Sequence, residues 1–341
     1  MDHIKKMNRD NKCLIISEVG SIHDGSLGNS MKFIEMLSEF GSDFIKFQTH
    51  IAEAETLKDA PMPPYFKGEA RFDYFKRTGF TKDQWIKLKN DCEQHNIGFM
   101  SSPFSLEAVE LLEEIGTSHY KIASGEVTNT GLLTYIAQTR KPVIISSGMS
   151  SWEELDAAIN TFLKYHNQIT VLQCTSSYPC SYNDVGLNIM LEMKSRYELP
   201  VGLSDHTLTP YASYAAVCLG ASIIEKHVTF SRRMYGSDAK HSMEPEEFKD
   251  LIDGIRAIEK ILTSEVDKNE MADKMSNMKR IFEKSIVSIT EIPKGTPISR
   301  EMIGVKKPGT GIPPTRIQSI IGKKAVNYIT KDSIIQENDI E

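Results

Sequence analysis

Short apolar runs alternate with longer amphipathic stretches along most of the chain. The runs occupy residues 13–16, 44–47, 98–100, 120–122, 143–145, 169–172, 201–203 and 223–227. Each is a strand candidate. Between them, residues 31–40, 85–92, 108–112, 152–163 and 248–262 carry apolar positions at helical spacing. Ser105 and Ser151 stand where helix N-caps belong. Strand–helix alternation repeated this often predicts a parallel sheet. Roughly eight strands over about 260 residues predict an α/β fold, a closed (β/α)₈ TIM barrel. An open doubly wound sheet is the competing architecture, but no glycine-rich phosphate loop follows the first run.

The pattern changes near Leu262. Residues 263–279 are polar and weakly periodic, which predicts a linker, in part helical. Beyond it, the segments that open at Ile292 and at Ile329 repeat isoleucine and lysine at matching offsets. This predicts a small β-rich domain with internal pseudo-symmetry. The expected division is a barrel over 1–265, a linker over 266–283 and the small domain over 284–341.

Composition narrows the partners. The net charge of −6 argues against nucleic acid or an anionic membrane as the main partner. The five cysteines (Cys13, Cys92, Cys174, Cys180, Cys218) form no CxxC pair and read as reduced thiols. Residues 1–11 are polar, with no apolar h-region behind them, and no apolar run approaches the roughly 20 residues of a membrane span. A cytoplasmic location is expected.

Chemistry in a barrel sits at the carboxyl ends of the strands. Polar residues collect there: Glu18; Lys46 and Gln48; Ser101 and Ser102; Lys121, Ser124 and Glu126; Ser146 and Ser147; Thr175, Ser176 and Tyr178; Ser204, Asp205 and His206; Glu225 and His227. Strand alternation puts Lys46 with Gln48 and Glu225 with His227, while Lys226 turns to the helix layer. A buried lysine needs a paired acid or an anion. For one lysine a salt bridge explains as much as a ligand does; for the whole ring a binding site explains more. His206 and His227 end adjacent strands and can share a divalent cation, with positions left open for Lewis-acid work on a carbonyl. His23 is a candidate lining residue. His3, His95, His119 and His166 read as surface residues. The aromatic-rich stretch 60–80 (Tyr65, Phe66, Phe72, Tyr74, Phe75) suits either substrate contact or packing against the small domain.

Taken in order, Glu18-Val-Gly20, His23-Asp-Gly25, Lys46-Phe-Gln48, Ser102-Pro-Phe104, Tyr120-Lys-Ile-Ala-Ser-Gly-Glu126, Ser146-Ser-Gly-Met149, Tyr178-Pro179, Gly202-Leu-Ser-Asp-His206 and Glu225-Lys-His227 resemble the sialic acid synthase family. The resemblance covers the whole chain. It implies a TIM barrel followed by a C-terminal antifreeze-like SAF domain of β-clip type, with Lys307-Pro-Gly as its signature loop. It implies condensation of phosphoenolpyruvate with N-acetylmannosamine or a related hexosamine, giving N-acetylneuraminate and phosphate. A synthase of legionaminic or pseudaminic type is the neighbouring alternative. The implied metal is Mn²⁺ or another divalent ion such as Mg²⁺, on His206 and His227. The implied phosphoenolpyruvate contacts are Lys46, Ser102, Lys121, Ser124, Ser146, Ser147 and Ser204. Glu18 and Glu126 match acids near the reacting carbons, with Glu126 the first candidate to activate water. Gln48, Tyr178 and Asp238 match positions facing the sugar. A domain-swapped homodimer is implied, with Lys307 where the family often carries an arginine that reaches the sugar's acyl group. Ile22 and Ser176 also depart from the usual asparagines. Two readings of other classes compete. One is a Schiff-base aldolase on Lys46 or Lys121, trapped by borohydride. The other is a non-catalytic SAF binding protein on a relic barrel, which the intact polar ring opposes.

Overall fold

The computed structural model describes residues 12–62, 66 and 68–341. The chain divides into two compact units, one ending at Thr263 and the other beginning at Ser264. In the first, strands β1 (Leu14–Gly20), β2 (Phe44–Thr49), β3 (Gly98–Pro103), β4 (Tyr120–Ile122), β5 (Val143–Ser146), β6 (Ile169–Cys174), β7 (Val201–Asp205) and β8 (Ile223–His227) close into a barrel in sequence order. All pairings are parallel, and β8 returns to β1. Helices α1 (Leu27–Phe40), α2 (Ala52–Glu55), α3 (Arg71–Thr78), α4 (Lys82–Gln94), α5 (Leu106–Glu114), α6 (Thr130–Gln138), α7 (Trp152–Leu163), α8 (Leu187–Tyr197), α9 (Tyr211–Cys218) and α10 (Pro245–Thr263) connect the strands or follow them. Among the described residues no helix is long and apolar enough to cross a membrane.

The alternation of each strand sorts its residues into two cores. Ile15, Ile45, Ile122, Ile145 and Ile224 face outward and pack with Phe33, Leu88, Leu133 and Leu251 of the helices. Leu14, Ile16, Phe44, Met100, Ile144, Leu172 and Ile223 form a separate cluster inside the ring. Two residues further along the same inward faces stand Glu18, Lys46, Ser102, Ser146, Cys174 and Glu225. The barrel interior is therefore apolar below and polar at its carboxyl end, which is where a binding site forms.

Ser105 and Ser151 cap α5 and α7 as expected. Ser105 Oγ accepts from Ala108 N at 3.1 Å, and Ser151 and Glu154 form a reciprocal capping box. Helices α6, α8 and α9 were not legible from periodicity. Helix α9 reads Tyr-Ala-Ser-Tyr-Ala-Ala-Val-Cys, and small apolar residues around most of its circumference leave no stripe to detect.

The second unit opens with α11 (Lys268–Lys274) and α12 (Ser276–Phe282), so most of the expected linker is helical. Asp267 caps α11 by accepting from Asn269 N and Glu270 N. Strands β9 (Ser285–Ser288) and β10 (Ile303–Lys306) pair antiparallel. The two matching segments meet, with Ile292 bridged to Ile329, and Ile298 and Ile335 buried in one cluster.

Candidate active site

A cavity of about 410 Å³ opens at the carboxyl ends of the strands. Its wall gathers Glu18, Lys46, Gln48, Lys121, Ser124, Glu126, Ser146, Tyr178, Ser204, His206, His227 and Asp238, drawn from all parts of the barrel sequence. The volume lies in the range of small-molecule sites.

At its floor two lysines meet two glutamates. Lys46 Nζ lies 2.9 Å from Glu18 Oε2 and 3.4 Å from Glu225 Oε2. Lys121 Nζ lies 3.2 Å from Glu225 Oε1 and donates to Ser146 Oγ at 2.7 Å. Ser204 Oγ donates to Glu225 Oε1 at 3.1 Å. Strand register builds this cluster, since Glu18 pairs with Lys46 and Ser204 with Glu225. Burial pushes Glu18 up from the usual carboxylate range, while Lys46 pulls the other way. Burial opposes ionisation of Glu225 too, but Lys121 and Lys46 override it and hold its carboxyl low. Burial lowers Lys121. Two ammonium groups around one firm carboxylate and one reluctant one leave net positive character for an anion.

The two histidines stand beside this cluster with ring centroids 5.5 Å apart. His206 Nδ1 is 2.9 Å from Thr175 O, which leaves its other nitrogen for the cavity. His227 is buried, and among the described residues its Nδ1 has no hydrogen-bond partner. Burial, reinforced by His206, pushes the His227 pKa well down, so its imidazole is neutral. A neutral, orphaned imidazole beside a second one suits a divalent cation. Among the described residues no group of three or more His, Cys, Asp or Glu side chains could enclose one. The donor set therefore fits an open site of two protein ligands, not a closed structural one.

Sugar-facing candidates occupy the upper wall. Tyr178 lies 4.3 Å from the His206 ring, centroid to centroid. Asp238 is half-buried and accepts from Ser237 Oγ at 3.1 Å, and desolvation raises its pKa. Gln48 Nε2 donates to Glu18 Oε1 at 2.9 Å. Glu126 accepts from Asn129 Nδ2 at 2.9 Å, and burial raises its pKa.

Several expectations need correction. Ser147, the first residue past β5, turns away from the cavity, with its Oγ 3.1 Å from Leu172 O and 3.4 Å from Gln173 Oε1. Ser102 lies beneath the wall, 3.5 Å from Lys46 Nζ, and supports that lysine. His23 is buried against Phe80, with ring centroids 4.5 Å apart, and is not a lining residue. His119 is buried rather than on the surface. Lys226 faces outward as expected, but it is buried in an ion pair with Asp205 at 2.8 Å. Lys307 stands in the second unit, as expected, with its Nζ 5.1 Å over the Phe282 ring. His3 and Tyr65 lie outside the described residues. Glu225, which had been placed at a strand end without a role, is the hub of the lysine cluster. His50, Arg71, Phe75 and Phe104 also line the cavity. Glu225 carried a sequence signal in its i, i+2 spacing to His227, Phe75 in the aromatic stretch that suited substrate contact, and Phe104 in the Ser102-Pro-Phe104 motif. His50 lies just past the end of β2 and Arg71 at the start of α3, where no pattern singled them out.

Residues 33–267 match the NeuB family and residues 283–341 the SAF domain. The chain is 36% identical over 334 residues to N,N'-diacetyllegionaminic acid synthase of Campylobacter jejuni, covering 96% of this chain and 99% of that one. It is 32% identical over 336 residues to human N-acetylneuraminate-9-phosphate synthase, covering 96% and 93%. The crystal structure of N-acetylneuraminic acid synthetase from Leptospira borgpetersenii matches with a TM-score of 0.69 at 32% identity, over 80% of this chain and 94% of that chain.

Proposed function

The chain belongs to the NeuB family, and from that premise we propose that it condenses phosphoenolpyruvate with an N-acyl hexosamine to give a nonulosonic acid and inorganic phosphate. The observation that carries this reading is the buried cluster of Lys46, Lys121, Glu18 and Glu225 directly beside His206 and His227 in one cavity. Lys46 and Lys121, with Ser124, Ser146 and Ser204, bind the carboxylate and phosphate of phosphoenolpyruvate. Gln48, Tyr178 and Asp238 orient the open-chain hexosamine so that its aldehyde carbon meets C3 of phosphoenolpyruvate. His206 and His227 hold a divalent cation, Mn²⁺ or Mg²⁺, that supplies Lewis-acid polarisation of the aldehyde when bound. Attack by C3 forms the new C–C bond and leaves a cationic C2. Water adds there, Glu126 accepts its proton, and the C2–O bond to phosphate breaks. A burial-raised carboxyl suits this base.

The acceptor of the leading reading is N-acetylmannosamine. A diacetamido hexosamine is the second reading, favoured by the 36% identity to a legionaminic acid synthase. Lys307 acts in this proposal from a second copy of the chain, on the acyl group of the acceptor.

The deciding experiment is phosphate release from phosphoenolpyruvate with a panel of hexosamines, with and without chelator. Release should need both a hexosamine and a divalent ion, and His206→Ala and His227→Ala should each abolish it. Full activity in those variants would refute the metal assignment. A borohydride-trapped adduct on Lys46 or Lys121, with no phosphate released, would replace the reading with a Schiff-base aldolase.

A further inference from the structure

Strand pairing does not by itself fix the two imidazoles against each other. The β7–β8 ladder ends where Asp205 faces Lys226. His227 is the last residue of β8 and still pairs with Glu18 of β1, and its carbonyl accepts from Met243 N at 3.0 Å. His206 is the first residue past β7, beyond the last rung of that ladder. A residue there takes its direction from whatever satisfies the backbone groups around it.

A buried side-chain network does this. Lys226 Nζ donates to Thr207 O at 2.7 Å and lies 2.8 Å from Asp205 Oδ2. Asp205 Oδ1 accepts from Thr207 N at 2.8 Å, and Asp205 Oδ2 accepts from Ser213 Oγ of α9 at 2.7 Å. The Lys226 and Asp205 side chains are only 2% and 0% exposed. Both backbone groups of Thr207 are therefore held by the two residues that precede the histidines. Lys226 adds one more rung between β7 and β8, made by a side chain, past the point where the backbone ladder stops. An amine donates to a carbonyl whether or not it is charged, so this rung does not depend on the protonation of the lysine. Two further contacts complete the hold on His206. Cys180 N donates to its carbonyl at 3.0 Å, and its Nδ1 lies 2.9 Å from Thr175 O.

We infer that Lys226 and Asp205 are positioning residues for the cation site: from behind the wall they fasten the backbone that carries His206 to the strand that ends in His227, and so set the two rings 5.5 Å apart before a cation arrives. Ligands set in advance bind a divalent ion more tightly than ligands that must be ordered on binding, and the partners behind a ligating histidine are typically worth about 10–100-fold in affinity. The inference rests on the proposed reading, in which His206 and His227 hold the cation. Neither Lys226 nor Asp205 lines the cavity, so they act on the substrates only through the cation.

The test is Mn²⁺ binding to the full chain without substrates, read from the electron paramagnetic resonance signal of the free ion. Lys226→Met alone strands a buried carboxylate, so it is combined with Asp205→Asn. In the double variant the amide oxygen at position 205 still accepts from Thr207 N, and only the rung to Thr207 O is lost. Its Kd for Mn²⁺ should rise at least about tenfold. At saturating Mn²⁺ its turnover and its KM for phosphoenolpyruvate should match wild type, because Lys46 and Lys121 stand on other strands. Ser213→Ala removes one hydrogen bond from Asp205 and no charge. Its Kd should rise by a smaller factor, and it decides the matter if the double variant does not fold. Ile159→Ala loosens the core at α7, away from this network, and should keep the wild-type Kd. An unchanged Kd in the double variant, or an equal rise in Ile159→Ala, would overturn the inference. Wild-type binding that His206→Ala abolishes keeps such a result from counting against the metal reading. A wild type that takes up no Mn²⁺ refutes both.

Discussion

Lys46 and Lys226 are both almost fully buried, yet they do opposite work. Lys46 points into the barrel and shares two carboxylates with an open cavity, whereas Lys226 points outward and pairs with Asp205 at 2.8 Å beneath the helix layer. Removing one partner of a buried pair leaves an uncompensated charge, at a cost of about 3–5 kcal/mol. Lys226→Met should therefore lose stability of that order in urea titration, while the fraction that folds keeps its turnover. Lys46→Met should lower phosphate release by at least about 100-fold at saturating phosphoenolpyruvate, since it removes a charge-assisted contact to the reacting anion. Equal kinetic defects in the two variants would show that their orientation does not separate their roles. Glu126 adds a pH dependence. Its carboxyl must be ionised to accept a proton from water, and burial holds its pKa above the usual carboxylate range. Activity should be full at higher pH and fall as pH drops through that raised value. Glu126→Gln should remove this limb of the pH–rate profile together with most of the activity.

The elements divide between scaffold and site. Helix α7 packs Leu155, Ala158, Ile159 and Phe162 inward and is started by the Ser151–Glu154 capping box. Ser151 itself does not line the cavity, so Ser151→Ala should cost about 1 kcal/mol in urea titration and leave both KM values unchanged. An altered KM would mean that α7 transmits strain to the site. Gly148, after β5, shows the opposite case. A Cβ there would lie 2.3 Å from Ser176 Oγ and 2.7 Å from Ser124 Oγ, so the turn keeps glycine to leave room for the wall of the cavity. Helix α3 and the loop before it were read as serving either substrate or packing. Arg71, Tyr74 and Phe75 of α3 line the cavity, so at least its inner face belongs to the site.

For the molecule as a whole, the two imidazoles make a prediction that does not depend on turnover. A ligand that binds only the folded state raises stability by mass action, about 2.7 kcal/mol at a hundredfold excess over its Kd. Saturating Mn²⁺ should raise the melting temperature of wild type, and chelator should reverse the rise. His206→Ala and His227→Ala should show no such shift. A shift that persists in both variants would place the cation elsewhere. The closed barrel explains why these histidines meet at all. They lie 21 positions apart in sequence, yet β7 and β8 are hydrogen-bonded neighbours whose register sets Ser204 beside Glu225.

The barrel was legible in the sequence because strand and helix periods differ, and because eight apolar runs each ended in polar residues that an ordinary core would not tolerate. The face occupied by Lys46, Gln48, Glu225 and His227 followed from the two-residue repeat of a strand. Tertiary structure alone decided the rest. Ser146 enters the cavity and Ser147 leaves it, which depends on where β5 ends. Glu225 became the hub of two ion pairs through register with β7 and β1, and register is a property of paired strands, not of one strand's pattern. His50 and Arg71 reached the wall on segments without periodicity, whose paths are set by the surfaces they cover. A local repeat determines which way a side chain faces, whereas only the closed ring determines what it meets.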